Sequence, residues 1–496
     1  MAREIKLEPS RTLTEFRLLP GLTTPETAME QVSLETPLVR CNRGDFLRLR
    51  LPVVAAAMQS VSGSRMGIEL ARLGGVAFVY CSQPIEEQVE MIGRIKSHKA
   101  GFVEPRTVSP EMPLRELEAL RREAGFTTFP VVDNEGKLLG LITRRDYDVR
   151  AHAELTTAER MIPRAQLDVG VNIADLETAN QLLIEGHRAV LPIVDEADRL
   201  RYLVFRKDIE DHLDNPNQVV DGRKRLAAVG AINTRDHRAR VATLVETGVD
   251  VVSVDSSDGF SGYQRETIEW IRANYEDLPV IGGNVITADG FDFLVAAGAG
   301  AVKVGMGGGS ICITQEQKGT GRGLATAVID VVAARDRHAQ ATGDYIPVIA
   351  DGGVVNSKDV VVALALGADA VMMGRYFARM DESPTEKLQI NGRIMKPYWG
   401  EGSARAREWS PGRYRHAAFV EGVEGFVEYA GKLRDNLPKL ASKIRAAMAS
   451  CGCATIRDLH ENAILELVSG LAIREGNVHD IIQFGGDRDA LSSWSL

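Results

Sequence analysis

Cys312 is the residue whose surroundings say most about chemistry. It sits in the stretch 305–323, where seven of nineteen residues are glycine, directly after an apolar run at 301–304. Glycines free the backbone for positive φ and for close approach to a ligand. A thiol on such a loop is placed to attack an electron-poor carbon, with Thr314 two residues on to hydrogen-bond the sulfur. Packing as a small hydrophobe, the usual fate of a free cysteine, does not call for so much glycine. Other groups suit an anionic ligand carrying vicinal hydroxyls. Asp351 precedes Gly352 and Gly353 and can accept from both hydroxyls of a diol. Ser310 with Gly309, Gly353 and the pair Gly374-Arg375 offer backbone N–H groups with little bulk around a phosphate. Tyr398 adds a phenolic donor.

These groups need a scaffold that brings them to one place. Eight short apolar runs, at 51–58, 75–80, 226–232, 250–256, 279–285, 301–307, 346–353 and 370–376, read as strands. Most are apolar throughout, as in parallel strands buried on both faces. Helical patterns at 259–275, 288–297 and 356–366 lie between them. Eight strand–helix units predict an α/β fold, a (β/α)8 TIM barrel, with its chemistry at the C-terminal ends of the strands. Asp255, Ser256 and Asn284 fall at such ends, as do the residues above.

One connection is too long for a loop in a compact domain. Between positions 80 and 226 the chain repeats itself: Phe129-Pro-Val-Val-Asp133 matches Leu191-Pro-Ile-Val-Asp195, and Asp146 matches Asp208, at a constant offset of 62. The repeat resembles a tandem pair of cystathionine-β-synthase (CBS) modules, an α+β insertion. The expected division is therefore 1–100 as the first part of the barrel, 101–214 as the inserted module and 215–496 as the remainder. A purine nucleotide is the ligand that CBS resemblance implies. Thr143 fits the usual nucleotide-holding hydroxyl in the first repeat, and Phe205 replaces it in the second.

Bulk properties narrow the class. The 496 residues exceed one simple core. A net charge of −9 argues against nucleic acid and anionic membranes as partners. Five cysteines, odd and sparse, predict no disulfide framework and a reducing cytoplasmic setting. Cys451-Gly-Cys453 has no second Cys/His pair nearby to complete a zinc site. No apolar run is long enough for a membrane span, and no secretory signal is visible at the start of the chain.

The stretch 305–323, together with Asp255-Ser-Ser-Asp-Gly259, Gly282-Gly-Asn284, Asp351-Gly-Gly353, Gly374-Arg375 and Tyr398-Trp-Gly-Glu-Gly-Ser403, resembles the inosine-5'-monophosphate (IMP) dehydrogenase family, motif by motif and in family order. The resemblance implies oxidation of IMP to xanthosine monophosphate (XMP) with NAD through a Cys312 thioimidate that water then hydrolyses. It implies a water-activating pair, Arg413 and Tyr414, on a flap at about 395–420. It assigns Ser310, Asp351, Gly353, Gly374, Arg375, Tyr398, Gly400, Glu401, Glu421 and Asn284 to the substrate, and Asp255, Ser256 and Gly305 to the cofactor. It also implies a potassium ion held by Gly307, Gly309 and Cys312, with Glu475, Gly476 and Asn477 from a neighbour in a homotetramer. Departures from the family pattern are Glu421 for glutamine, Asn477 for glycine and Ala56 for serine.

Three alternatives remain on sequence grounds. A guanosine monophosphate (GMP) reductase would share the barrel, Cys312 and Thr314. A flavin-dependent barrel oxidoreductase would share Asp351-Gly-Gly353 and Gly374-Arg375 but has no use for the cysteine loop. A nucleotide sensor built on the CBS module requires a dead barrel, which the intact Cys312, Thr314 and Arg413 oppose.

Overall fold

The computed structural model describes residues 4–41, 44–98, 102–103, 105–124, 127–206, 209, 215–409 and 419–479. Two compact units emerge. The first joins Met1–Lys96 to Ala227–Leu496, and the second is Ser97–Leu226.

The first unit is built on a closed barrel of eight parallel strands. They are β1 (Val53–Ala55), β2 (Val76–Val79), β3 (Val229–Ile232), β4 (Val251–Val254), β5 (Val280–Val285), β6 (Ala301–Val304), β7 (Val348–Asp351) and β8 (Ala370–Met373). Each pairs with the next, and β8 closes on β1 through Val371 opposite Val53. Nearly every strand residue is buried, because the barrel interior and the outer helices exclude water on both faces. That is why the strands read as unbroken apolar runs.

Local chemistry sets the helices between them. Ser261 caps α1 (Gly262–Asn274) by accepting from the Gln264 N–H. Thr287 does the same for α2 (Ala288–Ala296) at Gly290. Asn356 and Asp359 form a reciprocal capping box at the start of α3 (Ser357–Ala365). Each cap follows a strand within a few residues, so the chain turns from strand to helix at the C-terminal rim, where the site lies. After β8, a hairpin of β9 (Leu388–Ile390) and β10 (Arg393–Trp399) is joined by β11 (Glu424–Glu428), with Trp399 opposite Glu424.

The second unit has two small sheets and two cores. One core holds Leu117, Phe129, Val131, Ile142 and Tyr147. The other holds Ala179, Leu191, Ile193, Val204 and Ile209. Residue by residue the two sets are separated by the same 62 positions, so the sequence repeat is also a repeat of packing. Each half therefore buries an apolar cluster of its own. Asp146 accepts from both the Thr143 N–H (2.6 Å) and its hydroxyl (2.8 Å). Asp208 lies outside the described residues. No described helix is long and apolar enough to cross a membrane, and all five cysteines are free.

Candidate active site

A cavity of about 330 Å³ opens at the C-terminal rim of the barrel. Its floor is the ends of β4 through β8, and its walls are the 305–312 loop and the segments 398–402 and 421. Glycine makes this geometry possible. Gly305 has φ +140°, and a Cβ there would lie 1.9 Å from the Asp351 carbonyl oxygen, so any side chain would push β6 and β7 apart. Gly308 and Gly309 face Gly352 and Gly353 backbone to backbone, which leaves N–H groups unshielded by side chains.

Cys312 is held by pairing across a long sequence gap. It forms an isolated antiparallel bridge with Gly422. On either side, the Ile313 N–H donates to Glu421 (3.1 Å) and the Val423 N–H to Ile311 (3.0 Å). The 421–423 segment is in turn tied to the strand that follows the barrel, through Gly400 N–H to Val423 (3.2 Å) and Glu421 N–H to Gly402 (3.1 Å). The side chains line up likewise. The Cys312 sulfur lies 3.2 Å from the Thr314 hydroxyl, which donates to the Glu421 carboxylate at 3.3 Å. Lys318 donates to the same carboxylate oxygen at 3.3 Å. A continuous polar path thus leads from thiol to carboxylate.

The residues expected to hold an anion line the same cavity. Tyr398 is 5% exposed. Burial raises its phenol pKa well above the usual range, so it stays a donor, while a hydrogen bond from Ser310 pulls it partly back. A Cβ on Gly374 would sit 2.7 Å from the Tyr398 hydroxyl, which places that hydroxyl against the Gly374-Arg375 corner. Asp351 ends β7, and burial pushes its carboxyl above the normal carboxylate range. Lys303 and a 2.8 Å hydrogen bond from the Asn284 amide pull it back. The same amide donates to the Gly305 carbonyl at 3.0 Å, joining β5, β6 and β7 at one point. Glu401 lines the cavity with both carboxylate oxygens engaged, one by the Gln59 N–H at 2.7 Å and the other by the Ser82 hydroxyl. It braces segment 400–402 against the residues that follow β1 and β2.

The cavity lining brings together Cys312, Thr314, Ser310, Asp351, Gly353, Gly374, Arg375, Tyr398, Gly400, Glu401, Glu421, Asn284, Asp255, Ser256, Gly305, Gly307 and Gly309. Ala56, the departure noted above, also lines it. Arg413 and Tyr414 lie outside the described residues. Glu475, Gly476 and Asn477 are not in the lining: they form the exposed end of a short helix, Gly470–Glu475. Sequence reasoning passed over Lys303, a 1% exposed residue 3.6 Å from Asp255, although a lone lysine within an apolar strand was a visible signal. It also passed over Met58 and Val355, which had no motif to mark them, and Ser257, which sits inside the Asp255–Gly259 motif without having been singled out.

Among the described residues no group of three or more His, Cys, Asp or Glu could hold a metal ion. The oxygens on the cysteine loop include main-chain carbonyls. Gly307 takes φ +75°, and the Gly309 carbonyl already turns inward to accept from the Cys312 N–H at 3.0 Å. Carbonyl oxygens of this kind suit a hard cation.

Comparison with known proteins agrees along nearly the whole chain. The family model for the IMP dehydrogenase / GMP reductase domain matches residues 10–479. The inosine-5'-monophosphate dehydrogenase of Tritrichomonas foetus is 46% identical over 96% of this chain and 97% of its own. The enzyme of the same name from Escherichia coli strain K12 is 37% identical over 95% and 96%. A crystal structure of a Trypanosoma brucei GMP reductase variant in complex with guanosine 5'-monophosphate superimposes with a TM-score of 0.85 at 30% identity, covering 96% of this chain and 99% of that one.

Proposed function

The chain belongs to the IMP dehydrogenase / GMP reductase family, and from that premise we propose that its cavity converts IMP, NAD and water to XMP and NADH, with Cys312 as nucleophile. The observation that carries the reading is the Cys312–Thr314–Glu421 line beside a glycine-lined pocket ending in Asp351 and Tyr398.

Each described residue has a task that its geometry supports, and the task of Arg413 and Tyr414 rests on the family resemblance. Gly353, Ser310, Gly374-Arg375 and the Tyr398 hydroxyl hold the phosphate. Asp351 accepts from the ribose hydroxyls, and Asn284 fixes its carboxylate. Glu421 faces the purine edge and accepts from N1–H. The thiol of Cys312 loses its proton along Thr314 toward Glu421, and the sulfur bonds to C2 of the purine. NAD, when bound, supplies the hydride acceptor for the hydrogen leaving C2. Asp255 and Ser256 flank that position. Loss of hydride leaves C2 bonded to Cys312 as a thioimidate, and a water activated by Arg413 and Tyr414 releases XMP and the thiol. The covalent intermediate divides one hard oxidation into two easier steps.

The test is absorbance at the NADH band with IMP and NAD, run beside NADPH oxidation with GMP. The first should proceed and the second should not. The opposite result would favour a GMP reductase, the reading that the solved neighbour keeps open.

We also propose that residues 101–214, within the compact unit Ser97–Leu226, are a tandem CBS module that takes a purine nucleotide. The separate cores of its halves support this. Deleting 97–226 and bridging 96 to 227 with a short flexible linker should leave the barrel folded and its turnover within about threefold, since the two units are compact by themselves. An insoluble or inactive deletion protein would show that the barrel depends on the insert.

Potassium is the third proposal. The carbonyls of Gly307, Gly309 and Cys312, joined by Glu475, Gly476 and Asn477 of a neighbour in a homotetramer, would hold the ion, which supplies a fixed positive charge that shapes the cysteine loop. Turnover should rise several-fold when potassium replaces sodium, and truncation before Arg474 should remove that difference. Equal rates in the two salts, or a monomeric protein at full activity, would refute the arrangement.

A further inference from the structure

Lys303 lies in the middle of β6, in the sequence Ala-Val-Lys-Val, and is 1% exposed. Buried lysines are rare unless paired, because removing an ammonium from water costs far more than burying its stem gains. Its stem runs alongside Gly283 of β5. A Cβ on Gly283 would come within 2.7 Å of the Lys303 Cβ, so only glycine leaves that path open. Its Nζ lies 3.6 Å from Oδ1 of Asp255, which follows β4. Asp351, at the end of β7, also feels its charge. One ammonium therefore acts on two buried or half-buried carboxylates, as an ion pair with Asp255 and through its field on Asp351. Each carboxylate opposes ionisation of the other.

We propose that Lys303 is a positioning residue for the reaction: its ammonium is the counter-charge that keeps Asp351 and Asp255 ionised together, so that one can accept from the ribose hydroxyls while the other faces the cofactor. This rests on the reading of Asp351 as the ribose-binding carboxylate. A neutral Asp351 carboxyl would offer one of its oxygens as a donor and lose one acceptor for the diol. The Tyr398 phenol also faces Asp351, alongside Arg375 and Cys312, and burial keeps it neutral. The Asn284 amide contacts Asp351 without charge.

The experiment measures IMP affinity against pH by calorimetry, in wild type, Lys303→Met, Lys303→Arg and Asp255→Asn. Affinity falls on the acid side as Asp351 takes up a proton. In Lys303→Met that acid limb should move upward by at least about one pH unit. IMP should then bind about tenfold more weakly below the limb and match wild type above it, since one unit is a tenfold change in protonation. Lys303→Arg should restore the wild-type limb. In Asp255→Asn, which keeps the lysine and removes its competing carboxylate, the limb should move downward. A loss in Lys303→Met equal at every pH would mean packing alone and overturn the proposal. So would an unmoved limb in Asp255→Asn, which decides the matter even if Lys303→Met does not fold. Failure of wild type to bind IMP at any pH would instead overturn the functional reading itself.

Discussion

Cys312→Ala should lose turnover by at least about 10³-fold while its IMP affinity stays within a few-fold of wild type. Without the sulfur no bond forms to C2, and nothing else in the cavity lining is a comparable nucleophile. The groups assigned to phosphate and ribose, Ser310, Gly374, Tyr398 and Asp351, sit on the walls and β-strand ends rather than on the thiol. The substitution also removes only a half-buried sulfur, so the melting temperature should stay close to wild type. Calorimetry with IMP and an NADH assay on the same sample separate the two effects. Turnover near wild type would remove the covalent mechanism, and lost IMP binding with intact folding would mean that Cys312 belongs to the binding surface.

Arg413→Ala should split the reaction in two. In the proposed mechanism hydride loss depends on Cys312, Thr314 and the cofactor side of the cavity, so the first turnover should proceed near the wild-type rate. Hydrolysis should slow by about 10²–10⁴-fold, the usual contribution of a positioned base. Stopped-flow absorbance should show a burst of NADH equal to the active sites, followed by a slow steady state. Acid quenching after the burst should leave a nucleotide on the peptide that contains Cys312. A parallel loss in burst and steady state would assign Arg413 to binding or to the first step instead.

The legibility of the site differs from residue to residue. Asp255, Asn284, Asp351 and Gly374 could be placed because each lies at the end of an apolar strand, and in this barrel every strand ends at the same rim. Cys312 could be singled out because its glycine neighbours have no structural purpose in a regular element. The inserted unit announced itself by an offset of 62 that recurs in its two cores. Lys303 was missed because a single charge in an apolar strand carries no information about its partners. Those partners come from β4 and β7, residues 255 and 351, and meet the lysine only once the barrel closes.

The sequence by itself determined the order of strand–helix units, the caps that start three of the helices, and the motifs that sit at the strand ends. These are local properties, set by hydrophobic period, glycine and capping side chains within a few residues. Tertiary structure alone decided that Glu421 lies beside Thr314 and Lys318, that Gly422 bridges Cys312, and that Glu401 is pinned by Gln59 and Ser82. Those pairs are separated by more than a hundred residues, and no local propensity favours one partner over another. Their register follows from barrel closure and from the strand Arg393–Trp399 pairing with Glu424–Glu428. That pairing carries segment 421–423 back over the cysteine loop, where backbone N–H and carbonyl groups on both sides satisfy one another.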